Sequence, residues 1–535
     1  MYNNNEYRKT YIDINECTSR GACSVAPNIA ALQEVIMYFL KQIAHYVLEL
    51  EKLGASNQSI KFNIINDIAT LVSSNEFSEK QLFELIQKEY FLLNDTKKAY
   101  KNICKDENIL AKELKTHIHF DKTTPISKAI ALGEKLFLKK YNHFSTLQKN
   151  LMEILLILVK STCINLIKIT DFNEFNNEIY HDVLSSLDML NHSKINNNEL
   201  KEQINKFANS DHQLQLEISR LLLTEFGEIS KVKVSHSSRK GKAILVSGNN
   251  FFDLLKILEE TKDKNIDVYT HSNLLITHAL KKFSNYENLQ GHYGDNTENS
   301  ILEFATFPGA ILLTKNSRNN TEYLYRGRLF SNDYIVPEGV VKIENDDFTQ
   351  LIDTANNAKG FSKGKVKEDT VLGYNDEEIT NQFDEIIYKL NNKELEKVYI
   401  IGMNAYSEVQ TEYFHEFFSK MKKNEFAISF SYESKNENVL TINVGNYAPL
   451  ATNILHQFFE KFPIDSEQIA FFFTTCDVMS ISNIVMLKNA GAKNLYMATC
   501  PPTLVNPSVF DTLKNQYNIK ETIKAADDLR KIREK

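Results

Sequence analysis

After Ser235, short apolar runs rich in β-branched and aromatic residues keep returning, and most gaps between them hold an amphipathic helical pattern. The runs are AILVSG (243–248), IDVYT (266–270), GAILLT (309–314), KVYIIG (397–402), FAISF (426–430), VLTINVG (439–445), QIAFFF (468–473) and NLYMA (494–498). Helical patterns lie at Phe251–Glu260, Glu377–Leu390, Ser407–Met421, Leu450–Phe459 and Asp477–Asn489. Continuous apolar runs separated by helices predict parallel sheets covered on both faces.

The half before Ser235 reads differently. From Leu32, apolar residues fall at Leu32, Val35, Ile36, Phe39, Leu40, Ile43 and Val47, one stripe at helical spacing. Gly54 follows as a C-cap, and Ser78 with Gln81 gives a capping box. Further helical patterns cover Lys128–Lys140, Leu147–Ile167, Tyr180–Leu190 and His212–Phe226, with sparse Gly and Pro, as in a helical bundle. SHSSRKGK (235–242) and KGFSKGKVKEDT (359–370) read as polar linkers. The expected organisation is α plus α/β: an N-terminal helical domain (1–237), then two Rossmann-like α/β domains with parallel sheets (238–365 and 366–535).

With 535 residues, 42% hydrophobic and 24% charged, the chain is neither disordered nor a small disulfide scaffold. A net charge of −7 lacks the domain-scale basic excess of a nucleic-acid binder. The N-terminus lacks an apolar stretch, and the longest apolar run, Leu151–Val159, is interrupted by Glu153 and too short to span a bilayer. The expectation is a cytoplasmic protein with reduced thiols and no membrane partner. Six cysteines are present: Cys17, Cys23, Cys104, Cys163, Cys476 and Cys500. Cys104 and Cys163 sit in helical patterns as inert thiols.

In open α/β sheets, ligands bind beyond the carboxyl ends of the strands. Those ends hold amides, hydroxyls and phenols: Gly248-Asn249-Asn250, His271-Ser272-Asn273, Asn316-Ser317, Met403-Asn404, Tyr432, Gly445-Asn446-Tyr447, Cys476-Asp477 and Cys500. A soft metal wants thiolate or imidazole, and this set has little of either. His271 and His278 would share a face if both lay on one helix, and His117 and His119 lack a visible third ligand. Gly248 and Gly402 each follow a strand without a phosphate-binding motif.

Several blocks together resemble the hybrid cluster proteins, also called prismane proteins or hydroxylamine reductases. RKGKAILVSGNNFFDLLKILEETKDKNIDVYTHSNLLITHAL is similar to the start of that family's first α/β domain. EFATFPGAILLTKNS, KVYIIGMNAYSEVQTEYFHEFF, VGNYAPLATNI, LKNAGAKNLYMATCPPTLVNPSVF and IKAADDLRKI follow its later blocks in order. CTSRGACSVAPNIAALQEVIMYFLK resembles its N-terminal cluster motif and the helix behind it. The resemblance implies the fold of that family and of its relatives, the carbon monoxide dehydrogenases. It also implies a cubane-type cluster on N-terminal cysteines, and a hybrid iron–sulfur–oxygen cluster held by a histidine, glutamates and cysteines. The associated chemistry is reduction of hydroxylamine or nitric oxide.

Transferred residue by residue, the ligand positions fall on other side chains. The histidine falls on Asn249, the first glutamate on Asn273, and a cysteine on Ser317. The persulfide cysteine falls on Met403, two further cysteines on Tyr432 and Tyr447, and the last glutamate on Asp477. Cys17 and Cys23 alone remain of the N-terminal motif, as a residual pair. Iron–sulfur clusters need thiolates. The resemblance therefore implies a cluster-less homologue with no cofactor, its pocket refilled by side chains, with Asn249, Asn273 and Asp477 as partners for the phenols. Its role would be binding, assembly or structural work, with an unknown protein partner or a second copy of itself, and not with nucleic acid. The alternative is an oxidoreductase of the hydroxylamine-reducing, nitric oxide-detoxifying family with a remodelled or residual iron–sulfur site.

Overall fold

The computed structural model describes residues 26–73, 77–114, 118–121, 123–139, 143–294, 300–315, 323–336, 339–403, 410–475, 477–498 and 507–534. The chain divides into two compact units: Met1–Asp211 with Pro502–Gln516, and His212–Pro501 with Tyr517–Lys535.

The first unit is helical. It holds α1 (Pro27–Lys52), α2 (Gln58–Ser73), α3 (Glu79–Asp106), α4 (Ile126–Lys139), α5 (Thr146–Thr170), α6 (Asn177–Met189) and the first half of α7 (Asn197–Phe226). The stripe expected on α1 is buried throughout, but so are its other faces: every residue from Gln42 to Leu50 is buried. Helices α3, α4 and α6 all pack on it, so α1 is a core helix rather than a surface one. Its polar residues are accordingly bonded. His45 Nδ1 meets Asp188 at 2.9 Å, its Nε2 meets the Lys112 carbonyl at 3.1 Å, and the Tyr100 hydroxyl donates to Glu49 at 3.3 Å. Where α4 crosses α1 the backbones nearly touch. A Cβ on Gly133 would lie 1.9 Å from the Ala31 carbonyl oxygen. Helix α3 starts with the expected capping box on Ser78 and Gln81.

Two carboxyls are buried together in this unit. Asp67 of α2 and Glu89 of α3 are fully inaccessible, with Lys88 Nζ 3.2 Å from the first and 3.3 Å from the second. Burial, and then the Asp67 charge, push Glu89 up to about 8.

The second unit contains two six-stranded sheets, every neighbouring pair parallel. After β1 (Val232–Val234), the first sheet uses β2 (Lys242–Ser247), β3 (Ile266–His271), β4 (Leu289–His292), β5 (Ala310–Leu313), β6 (Leu329–Ser331) and β7 (Val341–Lys342). Helices α8 (Phe251–Thr261), α9 (Ser300–Thr306) and α10 (Thr349–Asn357) connect them. After β8 (Thr370–Leu372) and α11 (Asp376–Asn391), the second sheet uses β9 (Lys397–Ile401), β10 (Glu425–Ser429), β11 (Val439–Thr441), β12 (Ile469–Phe473), β13 (Asn494–Met497) and β14 (Ile519–Glu521). Its helices are α12 (Thr411–Ser419), α13 (Ala448–Lys461), α14 (Val478–Asn489) and α16 (Ala525–Arg533), while α15 (Pro507–Tyr517) falls almost wholly in the first unit. There Asn150 Nδ2 on α5 donates to Ser508 and Thr512 of α15.

The strand orders are β4-β3-β2-β5-β6-β7 and β11-β10-β9-β12-β13-β14. Both are doubly wound, beginning in the middle, growing to one side and then to the other. The fold is thus the expected helical part followed by two Rossmann-like α/β sheets. Every run read as a strand is one. The extra strands, β1, β4, β6, β7, β8 and β14, span two to four residues and are too short to show a period.

The two polar stretches read as linkers are not free spacers. β1 pairs antiparallel with β8, and bridges Ser238↔Lys365 and Gly241↔Phe361 carry the pairing onward. The chain enters and leaves the first sheet through one ribbon. Aromatics fill the second sheet's face: Phe414 and Phe417 of α12, Phe472 and Tyr496 on neighbouring strands, with Leu529 and Ile532 of α16. Arg533 fixes α16 by gripping the buried Glu425 through two bonds of 2.7 and 2.8 Å.

Two outcomes follow for the helical unit. Gly133→Val is expected to destabilise it by about 1–3 kcal/mol through overpacking, read from urea unfolding. The folded unit keeps a proton on Glu89 that the unfolded chain releases, so stability falls as pH rises from the ordinary 4.5 towards about 8. Glu89→Gln should remove most of that fall, measured as the urea midpoint at pH 5 against pH 9.

Candidate functional site at the strand ends

In each sheet the winding direction reverses between the two central strands, β2 with β5 and β9 with β12. Those reversal points open the crevice in which doubly wound sheets bind ligands. Six of the predicted positions can be followed there.

On the first sheet, β2 ends in Ser247 and turns through Gly248-Asn249 into α8, whose N-cap is Asn250. The backbone N–H groups of Asn249 and Asn250 both donate to the Thr314 hydroxyl, at 2.9 and 3.2 Å. The Thr314 N–H in turn donates to the Ser247 carbonyl at 2.9 Å. Amides at this turn are the donors that a bound phosphate would need, and here they already point to a side chain of the neighbouring strand end. Next to them, Asn273 Nδ2 donates to Asn249 Oδ1 at 2.6 Å, so two predicted positions form one contact. Asn273 lies in a 3-10 turn, Ser272–Ala279, and Ser272 before it has φ +61°. A non-glycine residue in that region stores strain, of order 1 kcal/mol or more.

Behind this contact lies a relay that is buried at Ser247 and His271 and slightly exposed at Glu303. Ser247 Oγ meets His271 Nδ1 at 2.8 Å, and His271 Nε2 meets Glu303 at 2.8 Å. Both Ser247 and His271 have zero exposure, so the serine is a packed strand-end residue with no access for a substrate. His271 closes β3 and His278 lies in the following 3-10 turn, which separates the pair that would have shared a helix. His278 Nε2 and His292 Nδ1 share the Thr270 hydroxyl at 2.8 and 2.9 Å. Burial lowers His278 to about 4, and burial with neighbouring histidines holds His292 well below the ordinary range. The sequence reading missed Thr314, Ser247 and Glu303. Thr314 was in view as the last letter of GAILLT, but its role needs the β2–β5 adjacency.

On the second sheet, Met403 is buried just beyond the end of β9. Tyr432 follows β10 and turns inward, its ring stacked on Phe414 at 4.7 Å within the sheet's aromatic core. Its backbone N–H and carbonyl both bond the Ser429 hydroxyl. Tyr447 follows β11 and reaches the first sheet, its ring 5.2 Å from Phe251 of α8. Gly445 makes that approach feasible: φ is +61°, and a Cβ there would lie 2.8 Å from the Ile276 nitrogen. Asp477 is the N-cap of α14; its carboxylate receives the Ser480 N–H at 2.8 Å and the Thr475 hydroxyl at 2.9 Å. Ser317, Cys17, Cys23, Cys476, Cys500, Asn316, Asn404 and His117 lie outside the described residues. His119 bonds the Tyr90 hydroxyl at 2.9 Å.

The described cysteines, Cys104 and Cys163, are buried in α3 and α5. Among the described residues no three His, Cys, Asp or Glu side chains converge as a metal would require, and no helix is long and apolar enough to cross a membrane.

The cap on Asp477 yields a direct expectation. Asp477→Ala should cost about 1 kcal/mol through loss of the N-cap, whereas Asp477→Asn should be nearly neutral, both read by thermal unfolding.

Comparison with known proteins agrees with the reading by blocks. The hydroxylamine reductase of Thermodesulfovibrio yellowstonii is 24% identical over 97% of this chain and 98% of its own length. That of Methanocella arvoryzae is 22% identical over 96% and 97%. Among solved structures, an as-isolated, nickel-free carbon monoxide dehydrogenase from Thermococcus sp. AM4 aligns with a TM-score of 0.46 and 11% identity, covering 96% of this chain and 86% of that one. The sequence pattern described as the Prismane/CO dehydrogenase family matches residues 13–431, most of the chain. The chain therefore belongs to the Prismane/CO dehydrogenase family.

Proposed function

We propose that this chain is a member of the family that has kept the fold and lost the hybrid iron–sulfur–oxygen centre, and that it works as a binding or assembly protein. The observation that carries the reading is the hydrogen bond from Asn273 to Asn249, 2.6 Å long, at two positions where the resemblance expects a histidine and a glutamate ligand. Carboxamides are neutral and hard, and these two spend an N–H and a carbonyl on each other.

The remaining donors fit the cluster no better. Met403 offers a buried thioether, Tyr432 is stacked into an aromatic core, and the Asp477 carboxylate is committed to its own helix. Iron–sulfur clusters are held by thiolates, and among the described positions of the former site there is none. The residues present do not fit the group. Stacked rings and a buried methionine supply the bulk that keeps such a site from becoming a void, which would cost about 24 cal/mol per Å³.

A second reading keeps hydroxylamine reduction. Its support is the match over nearly the full length to relatives that carry that name. The two readings separate on iron. Protein purified without oxygen is expected to lack stoichiometric iron and acid-labile sulfide, and a four-iron cluster per chain would overturn the proposal. Met403→Cys alone is expected to give no hydroxylamine turnover, assayed with a strong artificial reductant.

A further inference from the structure

The ribbon at the base of the first sheet concentrates positive charge. Residues 231–242 and 359–369 carry nine Lys and Arg against two carboxylates, Glu368 and Asp369, in a chain whose net charge is −7. The rest of the chain therefore carries −14. Two of the cations are used locally: Arg239 grips the buried Asp267 through bonds of 2.7 and 2.6 Å, and Lys242 Nζ donates to the Ala358 carbonyl. The other seven, Lys231, Lys233, Lys240, Lys359, Lys363, Lys365 and Lys367, are exposed and meet no carboxylate among the described residues.

Their arrangement is ordered by the pairing. The bridges Ser238↔Lys365 and Gly241↔Phe361 hold the two segments side by side, with Lys240 inside the bridged stretch of one and Lys363 inside that of the other. Like charges crowded across a ribbon repel one another, so folding stability gives no reason for this pattern.

We infer that this ribbon is a docking surface for an acidic polypeptide segment. Two features favour that partner over a nucleic acid. The ribbon's one arginine is already bound to Asp267, and its one aromatic, Phe361, packs among Tyr269, Tyr293 and Phe307, which leaves neither a bidentate phosphate fork nor a stacking platform. The −14 carried by the rest of the chain repels a long polyanion, while a short acidic segment meets only the ribbon within a screening length of about 8 Å.

The test uses the full chain and two labelled probes, a peptide of alternating Glu and Val and an oligo(dT) of equal charge, followed by fluorescence anisotropy. The peptide is expected to bind at low salt and to weaken steadily as salt rises. Lys363→Gln, Lys365→Gln and Lys367→Gln combined should weaken it roughly tenfold, the sum of three surface ion pairs. The corresponding triple Arg variant, which keeps the charge, should bind within about threefold of the parent. Circular dichroism melting of the variants establishes that each is folded. No peptide binding at low salt, equal binding by the triple Gln variant, or tighter binding of oligo(dT) than of the peptide would each overturn the inference.

Discussion

One hydroxyl stitches the first α/β sheet shut where such a sheet normally opens. Thr314 accepts the N–H groups of Asn249 and Asn250 and joins the end of β5 to the turn after β2. These amides begin a helix and lack partners within it, so in a ligand-binding sheet they wait for an anion. Satisfied from inside, they hold Asn249 where Asn273 can reach it, and they fix the start of α8 where Phe251 meets Tyr447.

The second sheet reaches a similar end by other means. Among the described residues, its strand ends carry the buried Met403 thioether, a tyrosine folded back on Phe414, and an aspartate that caps its own helix. Each of these side chains makes an inward or local contact. Hydrophobic burial and local capping hold the residues found at these positions. The Ser247–His271–Glu303 chain fits the same pattern: Ser247 and His271 have no exposure and order a strand end, and the slightly exposed Glu303 anchors the imidazole.

Much of the architecture was legible in the sequence because parallel strands buried on both faces leave continuous apolar runs, and IDVYT or QIAFFF has few other uses. Caps were legible for a similar reason: Ser78 with Gln81 is a local rule that needs no tertiary partner. Edge strands such as Val341–Lys342 were not, because two residues define no period. The surroundings of α1 were also hidden. Its apolar stripe marks one buried face, but the burial of Gln42, His45 and Glu49 depends on three other helices. At the strand ends, the positions could be listed from resemblance while their contacts could not. That Asn249 and Asn273 meet, and that Tyr432 and Tyr447 turn in different directions, follows only once the sheets exist.

The paired ribbon of β1 and β8 makes the first sheet a cassette. Its chain comes in at Val232 and goes out at Leu372, residues that face each other across one ladder rung. A lobe threaded in this way can diverge, lengthen or change its chemistry without altering the path of the chain on either side. The ribbon also makes the lobe late to close in topological terms. Its first rung joins residues 140 positions apart, so the ladder gains its contacts only after the enclosed strands have brought their own ends together.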